Sequence, residues 1–193
     1  MPVGEDVIFP TPLTSSMFEK VSLFVQAAEN GTQVQIDLNG DATVDVTTTL
    51  NRGEVHFTAS GVMKGATVTS SKPVQAHLMT GDVGANYESR WFAIPPQHQW
   101  GIRYFSAVGT ASNGHEAYAF LYNPNATAIT INFTTRTGSG SFSIPARDTY
   151  RHQLPQNSGI DYDSISDQPF FGVGAVGAKP SSNNVYDWGF TLV

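Results

Sequence analysis

At 193 residues the chain can fill one sizeable core or two small ones, and its 40% hydrophobic content excludes a disordered tail. Ten Lys and Arg against 16 Asp and Glu give a net charge of -6 without any basic run, so the electrostatic footprint of a nucleic-acid binder is missing. No apolar stretch approaches the roughly 20 residues that a membrane-spanning helix needs, and the absence of cysteine excludes disulfides, thiolate metal sites and thiol nucleophiles.

In chain order the predicted elements are strands. The window TSSMFEKVSLFV has a weak helix-start signal in Ser15 and Glu19, but its β-branched and aromatic continuation predicts a strand instead. In TQVQIDL, Val34, Ile36 and Leu38 alternate with Gln33, Gln35 and Asp37, which gives a strand one buried face and one wet one. ATVDVTTT follows. In EVHFTAS the apolar residues are Val55 and Phe57, and the alternate residues Glu54, His56 and Thr58 are expected to be the wet face. ATVTS and VQAHLMTG continue the pattern, and clusters of Gly, Pro, Ser and Asn separate the runs. The predicted class is all-β, with antiparallel sandwich architecture and little helix.

An internal duplication organises these strands. Laid 95 residues apart, ENGTQVQI matches PNATAITI, pairing Thr32 with Thr127, Val34 with Ile129 and Ile36 with Ile131. SLFVQ lies over YAFLY, TLNRGEVHF over IPARDTYRH, and SSKPVQAHLMTG over SDQPFFGVGAVG, always in the same order. The lead-ins IFPTP and FAIPP correspond, as do NYESRWFAI and VYDWGFTLV. The reading is two tandem homologous antiparallel β-sandwich units, residues 1–85 and 86–193. Because FAI is followed by two prolines whereas the matching TLV ends at Val193, polypeptide is expected beyond it. The first ten residues, with Pro2 and Pro10 limiting their pairing, are expected to lie on a neighbour's sheet edge.

Several motifs bear on chemistry. Residues 172–177 spell G-x-G-x-x-G, but the following AKPSSNN cannot open a helix, so a glycine-rich packed strand is predicted. Asp37, Asn39 and Asp41 have the alternate spacing of a calcium loop, but Ala42 stands where glycine is wanted and Thr48 where a bidentate acid should be, so the Asn39-Gly40 signal for a tight type I′ hairpin is the stronger reading. Calcium is thus the one cofactor candidate. The five histidines lie in separate elements with no pair spaced to ligate one metal, and no G-x-S-x-G elbow occurs, so no catalytic residue is assigned. Tyr87, Trp91, Phe92, Trp100, Tyr104 and Phe105 concentrate aromatic area in the connector, as an inter-unit seam or as a surface that stacks on sugar faces or anchors a partner protein.

TVTSSKPVQAHLMTG followed by FAIPPQHQWGIRYFSAV resembles the N-terminal domain of IgG Fc-binding proteins and their relatives in large bacterial surface proteins. The resemblance is strongest over residues 66–108 and looser elsewhere, and rests on SKPV at 71–74, IPP at 94–96, and Trp100, Gly101 and Tyr104. It implies extracellular β-sandwich repeats used in adhesion or matrix assembly. It does not extend to immunoglobulin binding, since no Fc contact can be carried onto these residues, and the lack of cysteine favours a bacterial surface module. The expected function is a non-catalytic extracellular or cell-surface module whose partners are neighbouring repeats or subunits joined by β-strand contacts, a glycan or a surface protein. A carbohydrate-binding module is the alternative, distinguished by exposed rather than buried aromatic rings.

Overall fold

The computed structural model describes residues 6–8, 18–81, 89–107, 115–178 and 188–193. It contains β1 (Asp6–Ile8), β2 (Lys20–Ala27), β3 (Thr32–Asp37), β4 (Val46–Leu50), β5 (Val55–Thr58), β6 (Thr67–Ser70), β7 (Val74–Gly81) and β8 (Arg90–Ile94). A 3-10 turn at Gln97–Gln99 leads to β9 (Arg103–Ser106), β10 (His115–Tyr122), β11 (Ile129–Thr135), β12 (Ser139–Ile144), β13 (Thr149–Gln153), β14 (Ile160–Ser164), β15 (Phe171–Ala178) and β16 (Trp188–Thr191).

Among the described residues these strands form four antiparallel sheets. Sheet A has the order β1-β6-β3-β4, sheet B β5-β2-β7-β8, sheet C β9-β14-β11-β12 and sheet D β13-β10-β15-β16. Adding eight to each strand number of A and B gives C and D, so the two halves of the chain repeat one topology. The duplication seen in the residues is therefore a duplication of pairing. β8 forms its ladder with β7, placing residues 90–94 on the first sandwich, whereas a division after residue 85 assigns them to the second. β1 lies beside β6 as β9 lies beside β14, so the counterpart of the N-terminal strand is β9 and not the FAIPP segment. Because β1 pairs with β6 of its own chain, with Val7 opposite Val68, the expectation that it lies on a neighbour's edge is corrected.

Alternation drives each core. Val34 and Ile36 of β3 are fully buried while Gln33 and Gln35 face water, as their polarity requires. On β2, Val21, Leu23, Val25 and Ala27 point inward against Thr80, Leu78, Ala76 and Val74 of β7. β5 departs from expectation: Val55 and Phe57 are its exposed residues, and His56 and Thr58 turn toward the core side and hydrogen-bond to each other at 3.2 Å. In the second sandwich the glycine-rich β15 is buried. A Cβ on Gly174 would lie 2.1 Å from Phe190 Cζ, and one on Gly172 2.5 Å from Leu192 Cδ1, so the missing side chains make room for β16 to lay its own apolar residues over the strand.

The sandwiches meet along a buried seam. Arg90 of β8, 1% exposed, reaches across so that its Nε donates to Val176 O at 3.3 Å. Phe18 stacks parallel to Phe92 at 6.0 Å and meets Phe120 of β10 edge-on at 4.8 Å. Thr191 Oγ1 donates to Ala93 O at 3.1 Å, and Lys64 pairs with Asp148 at 2.5 Å. The first sandwich thereby covers the outer face of sheet D. There Phe120, Val173 and Ala175 are buried although Ala119, Leu121 and Gly174 are the residues of those strands that share a face with β13's Tyr150 and β16's Phe190.

Candidate binding surface

The outer face of sheet B is aromatic and unlike an ordinary wet face. In β2 the sequence SLFVQ is apolar on both sides of the strand, so while Leu23 and Val25 fill the core, Phe24 must point away from it. Register then places Phe24 directly between Phe57 of β5 and His77 of β7, and Met79 of β7 opposite Trp91 of β8. Ring centroids lie 4.7 Å apart for Phe24 and Phe57 and 4.9 Å for Phe24 and Trp91, each pair tilted by about 35°. Phe57 is 51% and Trp91 49% exposed. Between the rings, Phe24, Gln26, Val55, Gln75, His77 and Trp91 line a cleft of about 260 Å³.

The six aromatic residues singled out in the connector are thus not one group: Phe92 is buried and Phe105 is half-exposed. Trp91 lies on this open face. Trp100, only 7% exposed, stacks on Phe171 at 5.1 Å, meets Tyr122 edge-on and donates its indole N–H to Pro95 O at 3.0 Å. Tyr104 packs edge-on to Phe170 at 4.9 Å and accepts a hydrogen bond from the Gly101 N–H at 2.8 Å, while burial pushes its hydroxyl pKa up. Tyr87 lies outside the described residues. The seam itself is made by Phe18, Arg90, Phe92 and Phe120, of which the connector aromatics supply Phe92 alone.

Asp37, Asn39 and Asp41 do come together, but as a stapled loop. Asp37 Oδ1 accepts from the N–H groups of Asn39 and Gly40 at 3.1 and 2.7 Å, and its Oδ2 from that of Ala42 at 2.8 Å. Asp41 Oδ1 accepts from Thr43 N–H at 2.8 Å, and this backbone bond, with the Asn39 side chain, holds its carboxyl below the usual range. A type I′ hairpin needs positive φ at both Asn39 and Gly40. Here Gly40 (φ 73°) and Ala42 (φ 70°) are the left-handed residues, so the turn is a wider one closed by Asp37 and by Asp45, which accepts from Leu38 N–H at 2.7 Å.

Among the described residues no three His, Asp or Glu side chains converge as a metal site. His152 belongs to an aromatic stack between the sheets of the second sandwich, its Nδ1 2.9 Å from Tyr162 Oη and its ring against Phe133 and Phe142. Burial lowers its pKa from 6.5, so the fold prefers the neutral ring. The unfolded chain takes up a proton near pH 6.5 that the folded one refuses, so this contribution is complete above about pH 6.5 and is lost as pH falls through that value toward the folded pKa. Urea midpoints should fall between about pH 7 and pH 5, and His152→Gln should flatten that decline; an unchanged slope in the variant would show that the acid sensitivity lies elsewhere.

A family model described as IgGFc binding protein matches residues 7–193, a span that runs through both sandwiches. The chain belongs to the IgGFc binding protein family. The likeness, strongest over residues 66–108, thus belongs to a match that runs through the duplicated fold. In this IgGFc binding protein family member the motif residues serve structure: Pro95 O receives the Trp100 indole, Gly101 N–H donates to Tyr104, and Gly101 O accepts from Phe170 N–H at 3.0 Å. No curated protein sequence matches the chain.

Proposed function

We propose that this chain is a non-catalytic extracellular module, a stiff structural or adhesive spacer within a larger surface assembly that engages partner proteins through its sheet faces. The observation that carries this reading is the seam. Arg90, Phe92, Phe18 and Phe120 are all buried where the two sandwiches meet, so the units have no room to swing about a linker and act as one body. Family membership supports a binding role, and the aromatic face of sheet B supplies contact area. Small-angle X-ray scattering tests the stiffness: a curve fitted by one fixed arrangement is expected, and a curve that requires an ensemble of inter-sandwich angles would overturn the spacer.

A second reading has its own observation. Exposed Trp91 and Phe57 beside Gln26, Gln75 and His77 combine ring faces with amide donors and acceptors, the chemistry that holds a pyranose. On a glycan array, retention that disappears in Trp91→Ala favours this reading, and no retention removes it.

A further inference from the structure

We infer that the outer face of sheet B is a docking face for a second copy of this chain, which approaches with the β16 side of its second sandwich so that copies associate head to tail. The inference rests on the spacer reading and adds the partner and the surface. Its ground is that the chain already contains the equivalent contact. The ladders equate Phe24 with Phe120, His77 with Val173 and Trp91 with Gly189, so the outer faces of B and D occupy the same position in their sandwiches. On sheet D that face is buried by a sandwich of the same strand order, with Phe18 against Phe120 and Phe92 against Gly189. On sheet B the same position holds three rings, Phe24 in contact with both Phe57 and Trp91, and the latter two are about half exposed.

The approaching side is specified by the same equivalence. The first sandwich contributes Arg90 and Phe92 of β8 to the seam, and their counterparts on β16 are Trp188 and Phe190. Both lie on one face of β16; Phe190 folds over Gly174, whereas Trp188, 59% exposed, is the ring that β16 leaves to solvent. The cleft of about 260 Å³ between Phe24 and Trp91 lies below the roughly 300–1,000 Å³ of sites that enclose small molecules and suits one inserted side chain. A face meeting a different face on the next copy is a heterologous contact, which propagates into filaments unless the rotation closes a ring.

Analytical ultracentrifugation of the intact chain and two variants tests this. The wild-type weight-average mass should rise with concentration. Trp91→Arg, which damages the face, and Trp188→Arg, which damages the approaching side, should each weaken association by about 30-fold or more, as expected for a buried aromatic anchor. Mixed together they should form a 1:1 dimer and stop, because each retains one intact surface. If circular dichroism reveals unfolding of Trp91→Arg, Phe57→Arg takes its place. A wild type that stays monomeric at every concentration, variants that associate like the wild type, or a mixture that remains monomeric while the wild type assembles would each overturn the inference. A wild type that stays monomeric but holds a glycan through Trp91 would replace the docking copy with a sugar. Scattering from a rigid monomer would leave the spacer standing while this inference fails.

Discussion

Truncating Trp100 to Ala is expected to cost about 3–5 kcal/mol of unfolding free energy, while Trp91→Ala costs under about 1 kcal/mol. The two tryptophans are nine residues apart and chemically identical, so the difference isolates environment. Trp100 is 7% exposed, stacked on Phe171 and hydrogen-bonded to Pro95 O; its removal empties a cavity that rigid strands on both sides cannot close. It also breaks the link by which the connector is pinned to the start of β15. Trp91 touches Phe24 across the open face of sheet B and leaves no hole behind. Chemical denaturation of both variants decides the matter. Equal losses would mean that both rings are buried in solution, and the candidate surface would then be closed.

The fold was legible because polarity and pairing agree over most of its length. TQVQIDL and its partner PNATAITI place Val34, Ile36, Ile129 and Ile131 inward at the same lattice points, and turn residues fall between the strands where the ladders end. Register was less legible, because a slip of one residue moves a side chain to the opposite face without changing composition. Aligning NYESRWFAI with VYDWGFTLV sets Phe92 on Thr191, whereas the ladders set Phe92 opposite Leu78 and Phe190 opposite Gly174, which makes the two phenylalanines equivalent. Likewise the 95-residue offset sets Val55 on Tyr150, but Val55 faces outward opposite Gln26, while Tyr150 turns inward to stack on Phe142 at 4.1 Å.

The candidate surface was hidden by the rule that usually works. Alternation in EVHFTAS assigns the apolar residues to the core, and only knowledge of which edge of which sheet β5 occupies reverses it. The signal that was available is β2, where Leu23, Phe24 and Val25 are consecutive apolar residues. A strand apolar on both faces needs cover on both, or is itself a contact surface. The same feature in β10, with Ala119, Phe120 and Leu121, has its cover: the first sandwich lies over it.

Replacing Phe120 by Ala should therefore do more than remove a ring from a core. Phe120 is fully buried from a face that a lone second sandwich would leave to solvent, and the side chain that closes over it is Phe18, edge-on at 4.8 Å from the other half of the chain. The loss is expected at about 3–5 kcal/mol, as for other buried aromatics, but it falls on the coupling between sandwiches and not on the packing between sheets C and D. Calorimetry on the wild type should give one transition, since unfolding either half strips the seam from the other, and the variant should broaden toward two. Phe18→Ala should reproduce the loss from the other side. The double variant should cost less than the two single losses combined, because both remove the same contact. Strictly additive losses, or a variant that unfolds as sharply as the wild type, would mean that the seam does not bind the halves into one cooperative body.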